Sequence, residues 1–409
     1  MFNTESKKHL VKRYRTEKIF KNCGLAAIAV SIAFLVILFA SIISRGSSAF
    51  VSHKIALEVQ ILQNTTDYRG AVKQALKAKF PDAQTTQQKQ KLYAMVSRIA
   101  HLEIKEQIAE NPELIGKKSL FWLSASSDID MFLKGRISAE TDDANRKLKD
   151  IQIAWLHILQ EEGAVKKSFN GNFFKYADSS EPEVAGMAAS IVGSFFTIIV
   201  FLLISFPIGV MTGFYLQEFA PKNWLTDIAE VSINNLAAIP SIIFGLLGLV
   251  VYLGFMHLPR SASIVGGLTL SMLVLPVIII ATRNAITTVP QAIKDAAIAM
   301  GASKVQVMFH HTLPLSLPGI MTGTILAVSR ALGETAPLLM IGMVAFIADV
   351  PHSLMDPTTV IPVQIYLWSD SPELGFAEKS AAAIMVLLAF LITFNGIAVY
   401  IRKKFERKW

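Results

Sequence analysis

Residues 287–314 carry the stretch TTVPQAIKDAAIAMGASKVQVMFHHTLP, which joins two long apolar runs. Its local chemistry predicts a short helix that starts near Thr288 and Pro290. Threonine can cap the free N–H groups at a helix start, and proline has no N–H group to satisfy there. Gly301 predicts the end of this helix, because glycine readily adopts the left-handed conformation found just beyond a helix. The pattern therefore indicates a helix that closes on a sharp corner.

A second short helix is predicted to follow the corner. Ser303 and Gln306 have the spacing of a capping box, in which each side chain bonds the other residue's backbone N–H group. Pro314 then predicts the end of this helix, since proline removes a hydrogen bond and clashes with the preceding turn. Small side chains, Ala296 and Ala297 among them, leave a surface that can sit closely in a groove. We call this helix–glycine–helix unit, within the loop 287–316, the knob.

The composition of the 409-residue chain is that of a membrane protein, with 52% hydrophobic residues, 17% charged residues and a mean hydropathy of +0.46. Soluble domains carry about 25% charged residues. A membrane span needs about 20 predominantly apolar residues and must satisfy its backbone internally, as a helix does. We predict an all-α integral membrane protein with six transmembrane helices, at 23–43, 187–216, 228–256, 261–286, 318–347 and 380–401.

Basic residues flank the first and last runs. The first run is longer than the apolar core of a signal peptide, about 7–15 residues, so it is predicted to be retained. Cytoplasmic flanks are rich in Lys and Arg, so residues 1–22 and 402–409 are both expected in the cytoplasm. The basic residues thus lie at the ends of apolar runs, where they orient the chain in a membrane. The net charge of +8 is explained in this way, and no nucleic-acid partner is expected. The basic residues are Lys7, Lys8, Lys12, Arg13, Arg15, Lys18 and Lys21, then Arg402, Lys403, Lys404, Arg407 and Lys408.

The segment 46–182, between the first two runs, is predicted to form a domain on the periplasmic side. Apolar residues recur at helical spacing within 89–110, which indicates a helical or mixed α and β fold. A docking or sensing module and a decoration that packs on the permease core, 187–401, both fit this segment. The single cysteine, Cys23, excludes a disulfide framework, and no cofactor or metal is expected.

A charged pair interrupts the fifth apolar run. Arg330 and Glu334 are four residues apart and share a face of a helix. An arginine at mid-membrane costs about 2.5–3.5 kcal/mol on insertion scales, so such residues usually serve a function. The guanidinium fork suits an anion such as phosphate, and Glu334 can accept a hydrogen bond from protonated phosphate but not from fully ionised sulfate. Mutual neutralisation is the structural alternative. Thr335 beside the pair, and Arg283 at the end of the fourth run, complete the predicted pathway, although Arg283 also fits a membrane anchor.

The knob resembles the ATPase-docking motif of ABC importer permeases, acid-Ala-Ala-x3-Gly-x9-apolar-x-Leu-Pro. This resemblance implies that the knob is a coupling helix for a separate ATPase. The chain has no Gly-x4-Gly-Lys-Ser/Thr sequence to bind nucleotide, so we predict a transport subunit and not an enzyme. The spacing matches throughout, with an aspartate for the usual glutamate and a histidine at the apolar position. The matching residues are Asp295, Ala296, Ala297, Gly301, His311, Leu313 and Pro314.

Three further stretches, 238–248, 330–337 and 362–366, are similar to the phosphate importer permease family, PstA-type. The resemblance spans about residues 185 to 405 and implies transport of inorganic phosphate across the bacterial inner membrane, with Arg330 and Glu334 in translocation. It also implies four kinds of partner: a PstC-type second permease, a PstB-type ATPase dimer, a PstS-type periplasmic phosphate-binding protein and the lipid bilayer.

Three other kinds of membrane protein share features with a phosphate permease. A permease for another oxyanion, sulfate or molybdate, would share the architecture. A membrane sensor would use the domain 46–182. It would also need a cytoplasmic signalling domain, which the short cytoplasmic loops of this sequence do not supply. A secondary transporter is disfavoured because an ATPase-docking knob would serve no purpose in it.

Overall fold

The structure of the protein is a computed structural model that describes residues 4–61, 67–137 and 147–405. Two parts of the predicted basic termini, residues 1–3 and 406–409, lie outside the described residues. A long helix, α1, leads through a 3-10 turn into a small folded unit, residues 51–175, which we call the insert domain. Its elements, with the helix before it, are α1 (Thr4–Gly46), β1 (Val51–Gln60), α2 (Tyr68–Lys79), α3 (Thr86–Tyr93), α4 (Ala100–Glu110), β2 (Lys118–Ser124), α5 (Ser127–Leu133), α6 (Asp150–Glu161), β3 (Val165–Phe169) and α7 (Asn172–Lys175).

A bundle of apolar helices follows the insert domain. The first and fourth helices of this bundle, in the order given below, pack closely on each other, and small residues line their contact. The bundle consists of α8 (Ala188–Phe214), α9 (Trp224–Ala238), α10 (Ser241–Gly248), α11 (Ser263–Thr287), α12 (Gln291–Ala299), α13 (Lys304–Val307), α14 (Leu313–Gly333), α15 (Ala336–Met340), α16 (Ile361–Ser369) and α17 (Leu374–Phe405).

The insert domain corrects the all-α prediction. Its three-stranded antiparallel sheet has the order β2-β1-β3, with Lys54 opposite Ser124 and Val51 opposite Phe169. β-Branched and aromatic residues in the strands favour this pleated surface. The sheet and the helices α2 to α6 enclose a core that includes the fully buried Phe121. The all-α description therefore holds for the bundle, and the mixed fold allowed by the sequence holds for the insert domain.

Five segments are long and apolar enough to cross a membrane within the described residues. The predicted straight helix over 228–256 is wrong: α9 and α10 meet there at 102°. Pro240 explains the break, because proline lacks the N–H group that would continue α9 and restricts the residue before it. The spans number six if the bent pair counts as one, Trp224–Ala238 with Ser241–Phe255, beside Lys12–Phe50, Ala188–Phe219, Ser263–Thr287, Lys304–Gly333 and Leu374–Lys404.

The fifth span starts and ends earlier than predicted. A wide π-helical turn at Met308–Thr312 joins α13 to α14, so Lys304–Gly333 is one helical segment. The prediction that Pro314 ends a helix is wrong. Pro314 lies in the first turn of α14, where a missing N–H group is tolerated. The helix then stops at Gly333 instead of continuing to residue 347. The short helix α15 and a left-handed turn at Gly342 follow.

Glycines bring the helices of the bundle into close contact. A Cβ atom at Gly323 would lie 2.2 Å from the Cβ of Ala281 on α11, and one at Gly319 would lie 2.8 Å from the Cβ of Ala285. The Gly-x3-Gly pair therefore packs α14 on α11, the usual role of small residues between membrane helices.

Gly323→Ala should destabilise the bundle by about 1–3 kcal/mol, because the added methyl group overpacks the α11 contact. Thermal unfolding of the purified chain in detergent would measure the loss. Gly396→Ala is the matched control, since a Cβ atom there meets nothing within 4 Å. Equal melting temperatures for the two variants would contradict the packing account.

Candidate functional site

The corner of the knob has the predicted geometry. Gly301 adopts φ +91°, the left-handed conformation expected of it. The capping box at the start of α13 is present, because Gln306 N donates to Ser303 Oγ at 3.3 Å and Ser303 N donates to Gln306 Oε1 at 2.8 Å. Thr288 does not cap α12, contrary to prediction. Its hydroxyl donates to the Ala285 carbonyl at 2.7 Å, so it ends α11, and Pro290 precedes α12 without a side-chain cap.

The docking-motif residues divide into surface and packing positions. Asp295, Ala296 and Gly301 are exposed, whereas Ala297 is buried and Leu313 and Pro314 are half-buried at the base of α14. The motif thus presents one face outward and anchors the other.

Large apolar side chains surround the corner on its exposed side. Met300, directly before Gly301, is 90% exposed, which makes it the most prominent of them. Contiguous exposed apolar side chains at the surface of a folded protein typically mark an interaction site. We call this surface the knob patch, formed by Ile298, Met300, Val305 and Phe309.

A buried ion pair fixes the knob to the bundle. Lys294 of α12 is buried and donates through Nζ to Oε1 of Glu218, in the π-helical turn Tyr215–Phe219 that follows α8. Neither residue was predicted as functional, although an acid directly after an apolar run and a lysine inside the motif were visible signals. The pair sets the orientation of α12 against the end of α8.

Arg330 and Glu334 form an ion pair at a helix end. Arg330 Nε lies 3.6 Å from Glu334 Oε1, and the side chains are 55% and 21% exposed. The prediction placed the pair inside a helix, but α14 stops at Gly333 and Glu334 has extended backbone with ψ 114°. Within the described residues, the shortest contact between Glu334 and the guanidinium is at Nε, and Arg330 forms no hydrogen bond through its terminal nitrogens. The terminal nitrogens, which form the fork that binds oxyanions, are therefore left open.

The turn after Glu334 packs against the other break in the bundle. A Cβ atom at Gly245 of α10 would lie 2.7 Å from Cα and O of Pro337. The Thr335 carbonyl accepts from Leu338 N at 3.1 Å and from Leu339 N at 3.0 Å, so Thr335 starts α15. Two segments noted for family resemblance, 238–248 and 330–337, are thus brought together although about 90 residues separate them.

Arg283 has a partner that the sequence did not indicate. Its Nη2 donates to Glu230 Oε1 of α9 at 2.7 Å, across 53 positions of sequence. Its Nε is buried and has no hydrogen-bond partner. No hydrogen bond or ion pair among the described residues joins Arg283 to Arg330 or Glu334. The structure therefore places Arg283 at an α9–α11 contact, apart from the predicted pair.

Comparison with known proteins defines the class first. Residues 205–407 match the family described as "Binding-protein-dependent transport system inner membrane component", and residues 7–143 match "Domain of unknown function (DUF3333)". The helix bundle therefore lies in a region that matches the inner membrane components of binding-protein-dependent transport systems. The inward-facing MetNI methionine ABC transporter is a structural neighbour with a TM-score of 0.41 and 17% identity, covering 54% of this chain and 98% of that one.

The more specific similarity is to phosphate transport permeases. The phosphate transport system permease protein PstA of Yersinia pestis is 30% identical over 221 residues, 54% of this chain and 74% of that protein. The PstC protein of Haemophilus influenzae is 31% identical over 253 residues, 56% and 78% of the two chains. The chain belongs to the phosphate ABC transporter permease family, with the PstA-type subunits, as the sequence predicted.

Lys294→Met should loosen the knob, because it leaves the Glu218 carboxylate without its partner in a mostly buried position. Loss of one member of a fully buried pair costs about 3–5 kcal/mol, and partial exposure of Glu218 lowers this to an expected effect of about tenfold on local opening. Hydrogen exchange of the α12 amides would measure it. The exposed Lys222→Met is the control, and unchanged α12 exchange in Lys294→Met would rule out the anchoring role.

Proposed function

We propose that this chain is a permease subunit of an ATP-driven importer and forms, with a PstC-type second permease, the pathway for inorganic phosphate across the bacterial inner membrane. One observation carries the proposal: a PstA-type chain presents the open fork of Arg330 beside Glu334 at a break in an otherwise apolar bundle. The substrate assignment combines that geometry with the phosphate named in its relatives.

The chemistry of the pair suits phosphate. A guanidinium can donate two parallel hydrogen bonds to an oxyanion, and such charge-assisted bonds are strong where water is scarce. The shortest contact of Glu334 is with Nε, at 3.6 Å, and no hydrogen bond among the described residues occupies the terminal nitrogens, so phosphate can bind them without first displacing the carboxylate. The carboxylate can accept a hydrogen bond from the O–H group that phosphate carries at neutral pH and sulfate does not. This difference favours phosphate over sulfate or molybdate.

The knob is proposed to transmit ATP hydrolysis from a separate PstB-type ATPase dimer. Its exposed face carries the apolar knob patch, and its glycine corner allows two short helices to enter a groove. The chain itself would do no covalent chemistry and would need no cofactor. A PstS-type periplasmic binding protein would deliver the phosphate.

The proposed topology has six crossings and two cytoplasmic termini, with the bent pair α9 and α10 counted as one crossing. Basic residues at both ends and even-numbered crossing support this arrangement. It places the knob in the cytoplasm and the insert domain, within 46–182, in the periplasm. The sensor alternative is disfavoured, because its outer domain would need no ATPase-docking knob.

Arg330→Gln should reduce ATP-dependent phosphate uptake at least a hundredfold in vesicles that contain the assembled importer, because the anion loses its charged donors. Uptake of labelled phosphate, with sulfate measured in parallel, tests the claim. Arg136→Gln, an exposed arginine of the insert domain, serves as control. Equal uptake of phosphate and sulfate by the unaltered importer would overturn the substrate assignment.

Gly301→Val should uncouple uptake from ATP hydrolysis by distorting the corner, since a β-branched residue at φ +91° is strained by about 1–3 kcal/mol. Phosphate uptake and the hydrolysis of ATP to ADP are measured together on the assembled importer. Gly163→Val is the matched control, because Gly163 also has positive φ, +68°, and nothing crowds its Cβ position. Normal coupling in Gly301→Val would count against docking through the knob.

A further inference from the structure

The last helix, α17, connects the insert domain to the helix that carries Arg330. Its first residues contact α5 of the insert domain, and its later residues pack along α14. The two ends of α17 are held by different kinds of contact, and each is specific.

A buried ionic chain holds the first end. Lys134 Nζ, at the end of α5, lies 2.8 Å from Glu378 Oε1 of α17 and 2.7 Å from Asp130 Oδ2. Asp130 accepts in turn from the backbone N and the ring Nδ1 of His53 on β1, both at 2.9 Å. Burial acts to raise the pKa of Asp130, but the hydrogen bonds from His53 and the charge of Lys134 outweigh it, so the pKa lies below its usual value. The chain of charges therefore runs from the sheet to α17.

Close contacts at two glycines hold the same end of α17. A Cβ atom at Gly375 would lie 2.5 Å from the Ser127 Oγ atom and 2.7 Å from the Pro182 Cβ atom, both in side chains. One at Gly46, where α1 ends, would lie 2.8 Å from the backbone of α17 at Ala381. With contacts this close, rotation or sliding of α17 at this end would separate Lys134 from Glu378.

Two polar contacts hold α17 to α14. Ser329 Oγ lies 2.8 Å from Asn395 Oδ1, and Arg402 Nη1 donates to Thr322 Oγ1 at 3.1 Å. The two contacts are seven residues apart on each helix, so they lie on one face about two turns apart. They fix the rotation of α14 about its axis. Ser329 directly precedes Arg330, so the same contacts set the direction of the guanidinium.

We propose that the insert domain is a positioning element for phosphate transport: through Lys134 and Glu378 it fixes α17, and through Asn395 and Ser329 α17 aims Arg330. This inference rests on the proposed function of Arg330. We call the ion pair of Lys134 and Glu378 the clamp. Its ionic character supports a positioning role, because buried ion pairs add little stability over apolar side chains of similar size but tolerate few geometries. Lys134, Glu378 and Asn395 are then positioning residues.

Charge reversal at the clamp tests the proposal in the assembled importer. Lys134→Glu and Glu378→Lys should each lower the maximal rate of phosphate uptake at least tenfold. The double variant, made in an Asp130→Asn background so that no second carboxylate faces position 134, should recover most of it by restoring an opposite pair. Asn395→Leu should lower the rate at unchanged clamp charge. The control pair is Lys175→Glu with Glu106→Lys, an exposed ion pair of the same domain, which should leave uptake unchanged.

A second measurement reports the aim of α14 directly. Cys23, the one cysteine of the chain, is replaced by serine, and a cysteine is introduced by Gly333→Cys, an exposed position three residues after Arg330. Its labelling rate with a water-soluble thiol reagent, measured below the onset of thermal unfolding of every variant, should change at least threefold in Lys134→Glu and return in the double variant. Wild-type uptake and labelling in both single variants would overturn the proposal, as would a double variant that recovers neither.

Failure of this inference differs from failure of the proposed function. An inactive Arg330→Gln together with normal Lys134→Glu uptake would remove only the positioning role. A fully active Arg330→Gln would instead overturn the proposed function, whatever the clamp variants do.

Discussion

The contact between Gly245 and Pro337 is the constraint on which the candidate site depends. Backbone groups inside a bilayer must be satisfied within the protein, so a broken helix is tolerated only where other protein surrounds it. Among the described residues, the bundle breaks between α9 and α10 and between α14 and α15, and the helices that follow the breaks, α10 and α15, pack on each other with Gly245 at the contact. A side chain at Gly245 would separate them. The contact therefore holds α15 in place directly after the end of α14, where Arg330 lies.

The charged pairs of the bundle differ in a way that separates structure from function. Lys294 with Glu218, and Arg283 with Glu230, join different segments and close them at hydrogen-bond distance. The pair of Arg330 with Glu334 is longer, at 3.6 Å between Nε and Oε1. Arg330 is half-exposed, and its partner lies only four positions away in the sequence. Closed pairs between elements fix geometry, whereas an open donor fork beside an acid leaves room for an anion. Arg283 stays a predicted pathway residue, and its bond to Glu230 also holds α9 against α11.

The insert domain gives the fold a second level of organisation. It has its own sheet and core, yet its buried charges continue into α17 instead of ending at its surface. Buried ion pairs restrict the arrangement of the elements they join, because separating the charges leaves each of them buried and unpaired. The domain and the bundle are therefore built as one unit at α17, which is consistent with a role in positioning the transport helices.

The sequence by itself determined the features that depend on neighbouring residues. Apolar runs located the membrane segments, Gly301 located the corner, Ser303 with Gln306 located a cap, and the four-residue spacing of Arg330 and Glu334 produced an ion pair. These signals act within one or two helical turns, so no distant residue can alter them. The docking motif and the family were readable for the same reason, since both are local patterns.

Only the tertiary structure decided where helices break and which distant groups meet. The 102° angle between α9 and α10, the stop of α14 at Gly333 and the wide turn before Pro314 were not predicted from the sequence. Glu230, Glu218 and the clamp at Lys134 come from segments between 53 and 244 positions away from their partners. No periodicity encodes such pairs, because burial of each charge fixes its partner only after the helices have packed.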